Sequence, residues 1–359
     1  MLLRSLTISM SSLVKQTQCW YCVMDRSADE ITFDANGRCN FCIQAQKALH
    51  EIELEKPNLQ NIVKEIKSSR RGKYDVVIGL SGGVDSSMAL HYAVGLGLRP
   101  LAFTVDTGWN TPEADENILR LVEGLCVPLY RENINQVVFS ELQGAFMKAG
   151  VPNIEIPTDH ILMAVSLNFA KLYNVRWIIS GGNVATESIM PPSWGYNARD
   201  LRHIKDIYRT ITGKKLKGVP VCGLLKWNYY RWIKRIKTLY LLDYFDYNRE
   251  ASVQLLTDLY GYKPYGEKHC ESVFTQWFQN FYLFEKFGID KRKAHFSSLI
   301  NSRQMSRDTA LLELQKPPVY PRLGIEQKIM SYPIKRSHDF FKKDEKIYNA
   351  IARFVKIFT

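Results

Sequence analysis

The stretch Tyr74-Asp75-Val76-Val77-Ile78-Gly79-Leu80-Ser81-Gly82-Gly83-Val84-Asp85-Ser86-Ser87 decides the fold. Its first half is a run of β-branched and apolar residues, the pattern of a strand buried on both faces. Its second half opens a helix expected over Ser86–Gly95. The junction between them collects free backbone N–H groups and the positive end of a helix dipole at one point, which suits a phosphate group. Gly82 and Gly83 let the backbone approach an anion and take dihedrals that a Cβ forbids. Ser81, Ser86 and Ser87 add hydroxyl donors. Asp85 repels phosphate, so it orients the loop or holds Mg2+. The spacing is neither GxxxxGK[ST] nor GxGxxG.

Outward from this stretch, strands and helices alternate. Strands are expected over Pro100–Asp106, Val127–Arg131 and Val175–Ser180, and helices over Pro112–Leu125 and Asp159–Tyr173. Thr111 caps the first of these helices, with Pro112 at its first position. Such alternation predicts an α/β fold, a parallel sheet with helices on both faces. After about residue 190 the strand pattern stops, and a mostly helical C-terminal region is expected. The expected division is 1–48, a zinc ribbon; 49–72, a linker helix; 73–200, the phosphate-binding sheet domain; and 201–359, a basic segment followed by helices.

In open parallel sheets ligands bind beyond the carboxyl ends of the strands. Asp106 ends the second expected strand there. Gly181, Gly182 and Asn183 end the fourth, with Glu187 soon after. The segment Ile156-Pro157-Thr158-Asp159-His160 opens a helix on the same side. Thr158 or Asp159 is expected to cap it, and His160 near the sheet mouth suits proton transfer. The segment Gly261–Ser272 reads as a loop that sets Lys263, Lys268 and His269 over an anion, or as a solvated loop.

Seven cysteines are present, and four of them form Cys19-Trp20-Tyr21-Cys22 and Cys39-Asn40-Phe41-Cys42. Two CxxC pairs at this separation give a closed tetrahedral thiolate site, structural because no ligand position is left for water. Zn2+ is the expected metal, with an iron–sulfur cluster as the competing reading. Asn36-Gly37 is placed to turn the chain before the second pair. Cys126, Cys222 and Cys270 have no partner at such spacing, and Cys126 reads as a buried structural residue.

The 359 residues are 46% hydrophobic and 23% charged, which is ordinary globular usage and argues against a disordered or fibrous chain. With 48 Lys and Arg against 36 Asp and Glu, the charge of +12 favours polyanionic partners: nucleotides, nucleotide sugars, RNA or an anionic membrane. Residues 199–237 concentrate that charge, with Asp200 and Asp206 as their only acids; a docking surface, a diphosphate binder and a solvated face all stay open. No apolar stretch of about 18 residues lacks charges, so no membrane span is expected. Met1–Val14 has neither the apolar length nor the cleavage site of a signal peptide, and a cytoplasmic protein is expected.

The SGGxDS loop resembles that of the ATP pyrophosphatase (PP-loop) superfamily, which includes GMP, asparagine and argininosuccinate synthetases and the tRNA thiolases. The paired CxxC, FDANGRCNFC, GLSGGVDSS, TVDTGWN, ISGGNVATES, GYKPYGEKHCES and FGIDKRKAHFSSLI, in this order, resemble the N-acetyl sugar amidotransferase family of surface polysaccharide and nonulosonate biosynthesis. The chain departs from that pattern at Asn301-Ser302-Arg303, where a glycine is expected. The resemblance implies conversion of an acetamido group on a sugar, usually nucleotide-linked, to acetamidino. ATP adenylates the amide oxygen, ammonia attacks the imidate carbon, and AMP and pyrophosphate leave, with Mg2+ as cofactor. On this reading Ser81, Gly82, Gly83, Asp85, Ser86, Ser87, Asp106, Gly181, Gly182, Asn183 and Glu187 bind the nucleotide. Asp85, Asp159, His160, Lys263 and Lys268 carry the chemistry. No glutaminase motif is present, so ammonia is expected from a separate glutaminase with a cyclase-like partner chain. The competing reading is a tRNA-modifying thiolase, disfavoured because such enzymes need cysteines near the loop; nucleic acid is therefore not the expected partner.

Overall fold

The computed structural model describes residues 16–266, 268 and 270–340. Met1–Val14 and His269, both read above, lie outside the described residues. Five strands form one all-parallel sheet: β1 (Val76–Gly79), β2 (Pro100–Asp106), β3 (Leu129–Asn133), β4 (Trp177–Ser180) and β5 (Lys237–Tyr240). Their order is β3-β2-β1-β4-β5. From β1 the chain runs outward to β3, then returns to place β4 on the other side of β1. The reversal leaves a crevice above the carboxyl ends of β1 and β4, where ligands of such sheets bind.

Side chains alternate across the sheet and build a core on each face. Val76, Ile78, Ile179 and Leu239 face one core, and Val77, Leu101, Phe103 and Ile178 the other. Helices α1 (Asn40–Glu55) and α2 (Leu59–Ser68) precede the sheet, with a 3-10 turn at Pro57 between them where the proline interrupts the helix. Then follow α3 (Val84–Gly95), α4 (Pro112–Gly124), α5 (Gln136–Ala149), α6 (Ile156–Leu172), α7 (Val184–Glu187), α8 (Leu201–Thr212) and α9 (Leu224–Asn228). The C-terminal region contributes α10 (Arg249–Tyr260), α11 (Val273–Trp277), α12 (Lys291–Asn301), α13 (Arg307–Gln315) and α14 (Glu326–Met330). Thr111 caps α4 as read, its side chain accepting from Ala114 N at 3.2 Å.

Four expectations need correction. A fifth strand exists beyond residue 190: Lys237 N donates to Arg176 O at 2.8 Å, and β5 runs beside β4. Its sequence hides it, because an edge strand with only Leu239 buried carries almost no hydrophobic signal. Helix α6 begins three residues before Asp159, and neither Thr158 nor Asp159 caps it: Glu155 holds the cap position with no side-chain bond. Cys126 is exposed, in a left-handed turn with φ +53° after α4. Finally, the boundary drawn at residues 48 and 49 falls inside α1.

The cysteine unit is no free-standing ribbon. Gly37 makes the expected turn at φ +76°, but strand pairing reduces to the bridges Gln18–Asp25 and Phe33–Cys39, and Cys39 is the N-cap of α1. The unit shares one hydrophobic core with Phe274, Trp277 and Tyr282 of the C-terminal region. Polar bonds reinforce the contact: Val23 N donates to Ser297 Oγ at 3.3 Å, and Arg307 reaches Cys22 O and Cys19 O at 3.1 and 3.2 Å. Within Asn301-Ser302-Arg303, where a glycine is expected, Arg303 has φ +61°, a region that glycine adopts freely and other residues reluctantly.

Candidate active site and cysteine centre

The phosphate loop forms as its residues dictate. β1 delivers the chain to Ser81, and α3 starts at Val84 with Gly83 as N-cap. Gly82 has φ +80°, and a Cβ there would lie 2.4 Å from Ala114 O of α4. Ser81 Oγ accepts from Gly83 N at 3.2 Å, while Ser86 and Ser87 hydroxyls donate to Gly83 O at 3.2 and 2.8 Å. The β4 loop abuts it: a Cβ on Gly181 would lie 2.8 Å from Ser86 N. Asn183 caps α7 through Thr186 N at 2.9 Å, and its Nδ2 is buried without a hydrogen-bond partner. Asp106 folds its carboxylate onto Gly108 N at 2.9 Å in a local turn at the end of β2.

The segment before α11 lies over this loop. Tyr262 OH donates to Gly82 O at 2.9 Å, and Tyr265 OH and Glu271 Oε1 stand beside Gly83. Lys268 is nearly buried and joins three side chains on two helices: Asp85 of α3 at 3.0 Å, and Glu187 and Thr186 Oγ1 of α7, each at 2.8 Å. Burial pulls the Lys268 ammonium down, but Asp85 and Glu187 outweigh it and hold the pKa above the usual lysine value. Tyr247 OH also donates to Asp85. Glu271 Oε2 is buried without a hydrogen-bond partner, and burial raises that carboxyl. Oxygen donors such as those of Asp85 and Glu187 suit Mg2+ beside a bound triphosphate.

Beside Lys268 lies a second charged group, which the sequence reading had only in part. Glu155 and Asp159 sit one turn apart at the start of α6, within electrostatic range of Lys291 at the start of α12, whose Nζ contacts Met190 Sδ at 2.6 Å. Asp159 keeps contact with solvent although protein crowds its carboxylate. Burial, helped by the Asp159 charge, pushes Glu155 up to about 8; Thr275 Oγ1 donates to it, and Lys291 opposes the shift. Burial pushes Asp159 up to about 6, again against Lys291. Burial pulls Lys291 down to about 8 against Glu155, Asp159 and Glu187.

Two sequence candidates stand elsewhere. His160 is buried, with Nδ1 bonded to Ala198 O at 2.6 Å and Nε2 accepting from Cys222 N at 3.1 Å. Both ring nitrogens are engaged by backbone, and burial lowers the pKa, so this is a neutral cross-link rather than a proton carrier. Lys263 points to Glu116 of α4 at 2.7 Å, away from the phosphate loop. A recess of about 680 Å3 lies behind Tyr247 and α7, lined also by Leu49, Phe245 and Arg303; Asp85, Asp159 and Lys268 do not line it.

The four paired cysteines meet: their sulfurs all lie within 4.8 Å of one another, with Cys19–Cys42 at 4.0 Å and Cys22–Cys39 at 3.8 Å. Tetrahedral Zn2+ with bonds of about 2.3 Å requires sulfur separations of about 3.8 Å, so the donor set fits. Cys39 N and Asn301 Nδ2 donate to the sulfurs of Cys19 and Cys42 at 3.2 and 3.3 Å, as thiolates require. Two outcomes are expected. Elemental analysis gives one zinc per chain, and its chelation lowers the melting temperature; a metal-free chain of unchanged stability would refute the site. Gly82→Ala, which drives a Cβ into α4 at a left-handed φ, lowers stability by about 1–3 kcal/mol, measured by urea unfolding, and weakens ATP binding, measured by calorimetry.

Residues 271–351 match the family described as LPS biosynthesis protein WbpG-like, C-terminal domain. Comparison with curated proteins gives no match. Among solved structures the chain is similar to an NH3-dependent NAD synthetase from Campylobacter jejuni subsp. jejuni NCTC 11168, at 18% identity and TM-score 0.30, over 37% of this chain and 58% of that one. It is also similar to an NMN synthetase from Francisella tularensis, at 17% identity and TM-score 0.28, over 55% and 97%. An NAD+ synthetase from Burkholderia pseudomallei gives 15% identity and TM-score 0.26, over 65% and 93%. The chain thus spans little more than half the length of the first of these structures. Residues 271–351 are thus similar to the C-terminal domain of a WbpG-like lipopolysaccharide-biosynthesis protein, and they follow a parallel sheet with the Ser81–Ser87 loop at its centre.

Proposed function

We propose that the protein is an ATP-dependent, AMP-forming amidotransferase that converts an acetamido group of a nucleotide-linked sugar to acetamidino during lipopolysaccharide or related glycan synthesis. One observation supports this best: Lys268 ion-pairs with Asp85 of the phosphate-loop helix and with Glu187, and Glu187 and Lys268 act electrostatically on Lys291 together with Glu155 and Asp159, so the loop adjoins a set of groups able to carry protons. An amide is a poor electrophile until its oxygen is a good leaving group. Attack of that oxygen on the α-phosphorus of ATP releases pyrophosphate and leaves an adenylated imidate. Asp85 and Glu187 would hold Mg2+, which would supply charge neutralisation at the pyrophosphate. The backbone N–H groups of Ser81–Val84 and the Ser81 and Ser86 hydroxyls position it.

Ammonia then adds to the imidate carbon, and the C–O bond to AMP breaks. An ammonium ion must lose two protons on its way to the amidinium nitrogen: one to become a nucleophile, one as the adduct collapses. Asp159, raised to about 6, and the ionised fraction of Glu155, raised to about 8, accept them, both values lying close to working pH. Lys291 holds the pair and keeps part of its charge. On the resemblance, ammonia would come from separate glutaminase and cyclase-like chains.

Incubation with MgATP, ammonium and UDP- or CMP-linked acetamido sugars, read by mass spectrometry, should give a product in which NH replaces O, with stoichiometric AMP and pyrophosphate. AMP formation that depended instead on tRNA would overturn the assignment. Glu155→Gln should keep sugar-dependent ATP–pyrophosphate exchange while losing about 10²-fold in amidine formation near neutral pH. Alkaline pH, which supplies free ammonia, should restore much of that loss. Equal loss of exchange and amidination would show that Glu155 does not serve the ammonia step.

A further inference from the structure

The basic segment leaves one helical face that the reaction does not use. After Gly223 the chain forms α9 and continues as a π-helical stretch, Tyr229–Ile233. Leu225, Tyr229, Trp232 and Ile233 are 87%, 40%, 47% and 71% exposed. Their spacing, i, i+4, i+7 and i+8, is that of one helical face. The opposite face anchors the element. Tyr230 is buried and donates to Asn168 of α6 at 3.3 Å, and Arg199 stacks on Trp227 at 4.5 Å. The exposed apolar face is therefore carried on a fixed element.

Cations rim it. Lys226, Arg231, Lys234 and Arg235 are all exposed, with Arg231 beside the Trp232 ring and Lys234 beside Tyr229 at 5.8 Å. From Ile207 to Leu242 the chain contains no Asp or Glu, while Arg209, Lys214, Lys215, Lys217 and Lys237 add to the same charge.

Position excludes the reaction's own ligands. Lys237 pairs with Trp177 where β4 begins, so Arg231–Ile236 lies at the amino-terminal edge of the sheet. The phosphate loop and the β4 loop lie at the carboxyl edge, at the other end of the strands. A second copy would set positive on positive, because a two-fold dimer pairs a patch with itself. Residues 1–15 carry Arg4 and Lys15 and no acid, and residues 341–359 carry five basic against two acidic residues, so neither tail complements the patch.

We propose that the Leu225–Ile233 face docks the protein peripherally on an anionic phospholipid surface. Leu225, Trp232 and Ile233 enter the boundary between headgroups and acyl chains, and Arg231, Lys234 and Arg235 meet the lipid phosphates. Each such cation strengthens binding roughly fivefold at low salt.

Co-sedimentation of the full chain with vesicles tests this. Vesicles of phosphatidylcholine containing phosphatidylglycerol should pellet the protein, pure phosphatidylcholine should not, and about 0.5 M salt should release it. The double variant Leu225→Asp, Ile233→Asp, both at exposed positions, should lose binding at an unchanged melting temperature. Lys234→Glu with Arg235→Glu should weaken binding by roughly tenfold or more. No pelleting with anionic vesicles, or full binding by Leu225→Asp, Ile233→Asp, overturns the proposal. So does self-association of the free chain that the same substitutions abolish, which would assign the face to a second copy.

Discussion

Lys268 is the contact on which the site depends. One nearly buried ammonium joins Asp85 of the phosphate-loop helix, Glu187 of the β4 loop helix and the segment that covers both. Burying a charge is expensive, and only well-placed opposite charges offset the loss of water. Two carboxylates and the Thr186 hydroxyl do so here. Without the lysine, Asp85 and Glu187 would face each other beside the buried Glu271, an arrangement of like charges that the fold cannot hold closed. The ion pairs therefore tie the segment around Lys268 to α3 and to α7, beside the Ser81–Ser87 loop.

The rest of the architecture serves that closure. The C-terminal helices carry the covering segment, and the same helices pack on the cysteine unit through Ser297, Asn301 and Arg307. A metal at Cys19, Cys22, Cys39 and Cys42 thus stiffens the region that carries Lys291, although the metal itself lies outside the chemistry. Helix α1 links this unit to the sheet domain and lines the recess behind Tyr247. The cysteine unit acts as a buttress for the site rather than as an appended module.

How much of this was legible follows from what each residue needs from its neighbours. The phosphate loop was readable because its function lies in consecutive residues and backbone conformation: Gly82 at positive φ and helix α3 at Val84 are local events. The cysteine pairs were readable because ligand chemistry resides in residue identity. Lys263 and Lys268 were indistinguishable in sequence, five residues apart in one loop, and only folding sends one to Glu116 and the other to Asp85. His160 looked functional by position, but its helix turns it toward Ala198 and Cys222. Glu155 and Lys291 were missed because neither carries a local pattern; more than a hundred residues separate them. The one signal was Lys291 inside FGIDKRKAHFSSLI, a motif read for resemblance and not for chemistry. β5 escaped because an edge strand has one buried side chain.

The carboxylates at the start of α6 have a thermodynamic consequence separable from catalysis. Glu155 titrates in the folded chain at about 8, against an ordinary 4.5. Below the ordinary value both states are protonated and the group is neutral to stability. Between the two values the unfolded chain has released the proton and the folded chain has not, so the folded state binds more protons and stability falls as pH rises. Above about 8 both states are ionised and the cost is complete. Glu155→Gln removes this burden. Its melting temperature should match that of the unaltered chain near pH 5 and exceed it increasingly toward pH 9. A gap independent of pH would mean that Glu155 is not held protonated by its surroundings. A carboxyl held protonated by burial thus costs the fold stability as pH rises, the exchange expected where a buried acid is kept for a purpose other than folding.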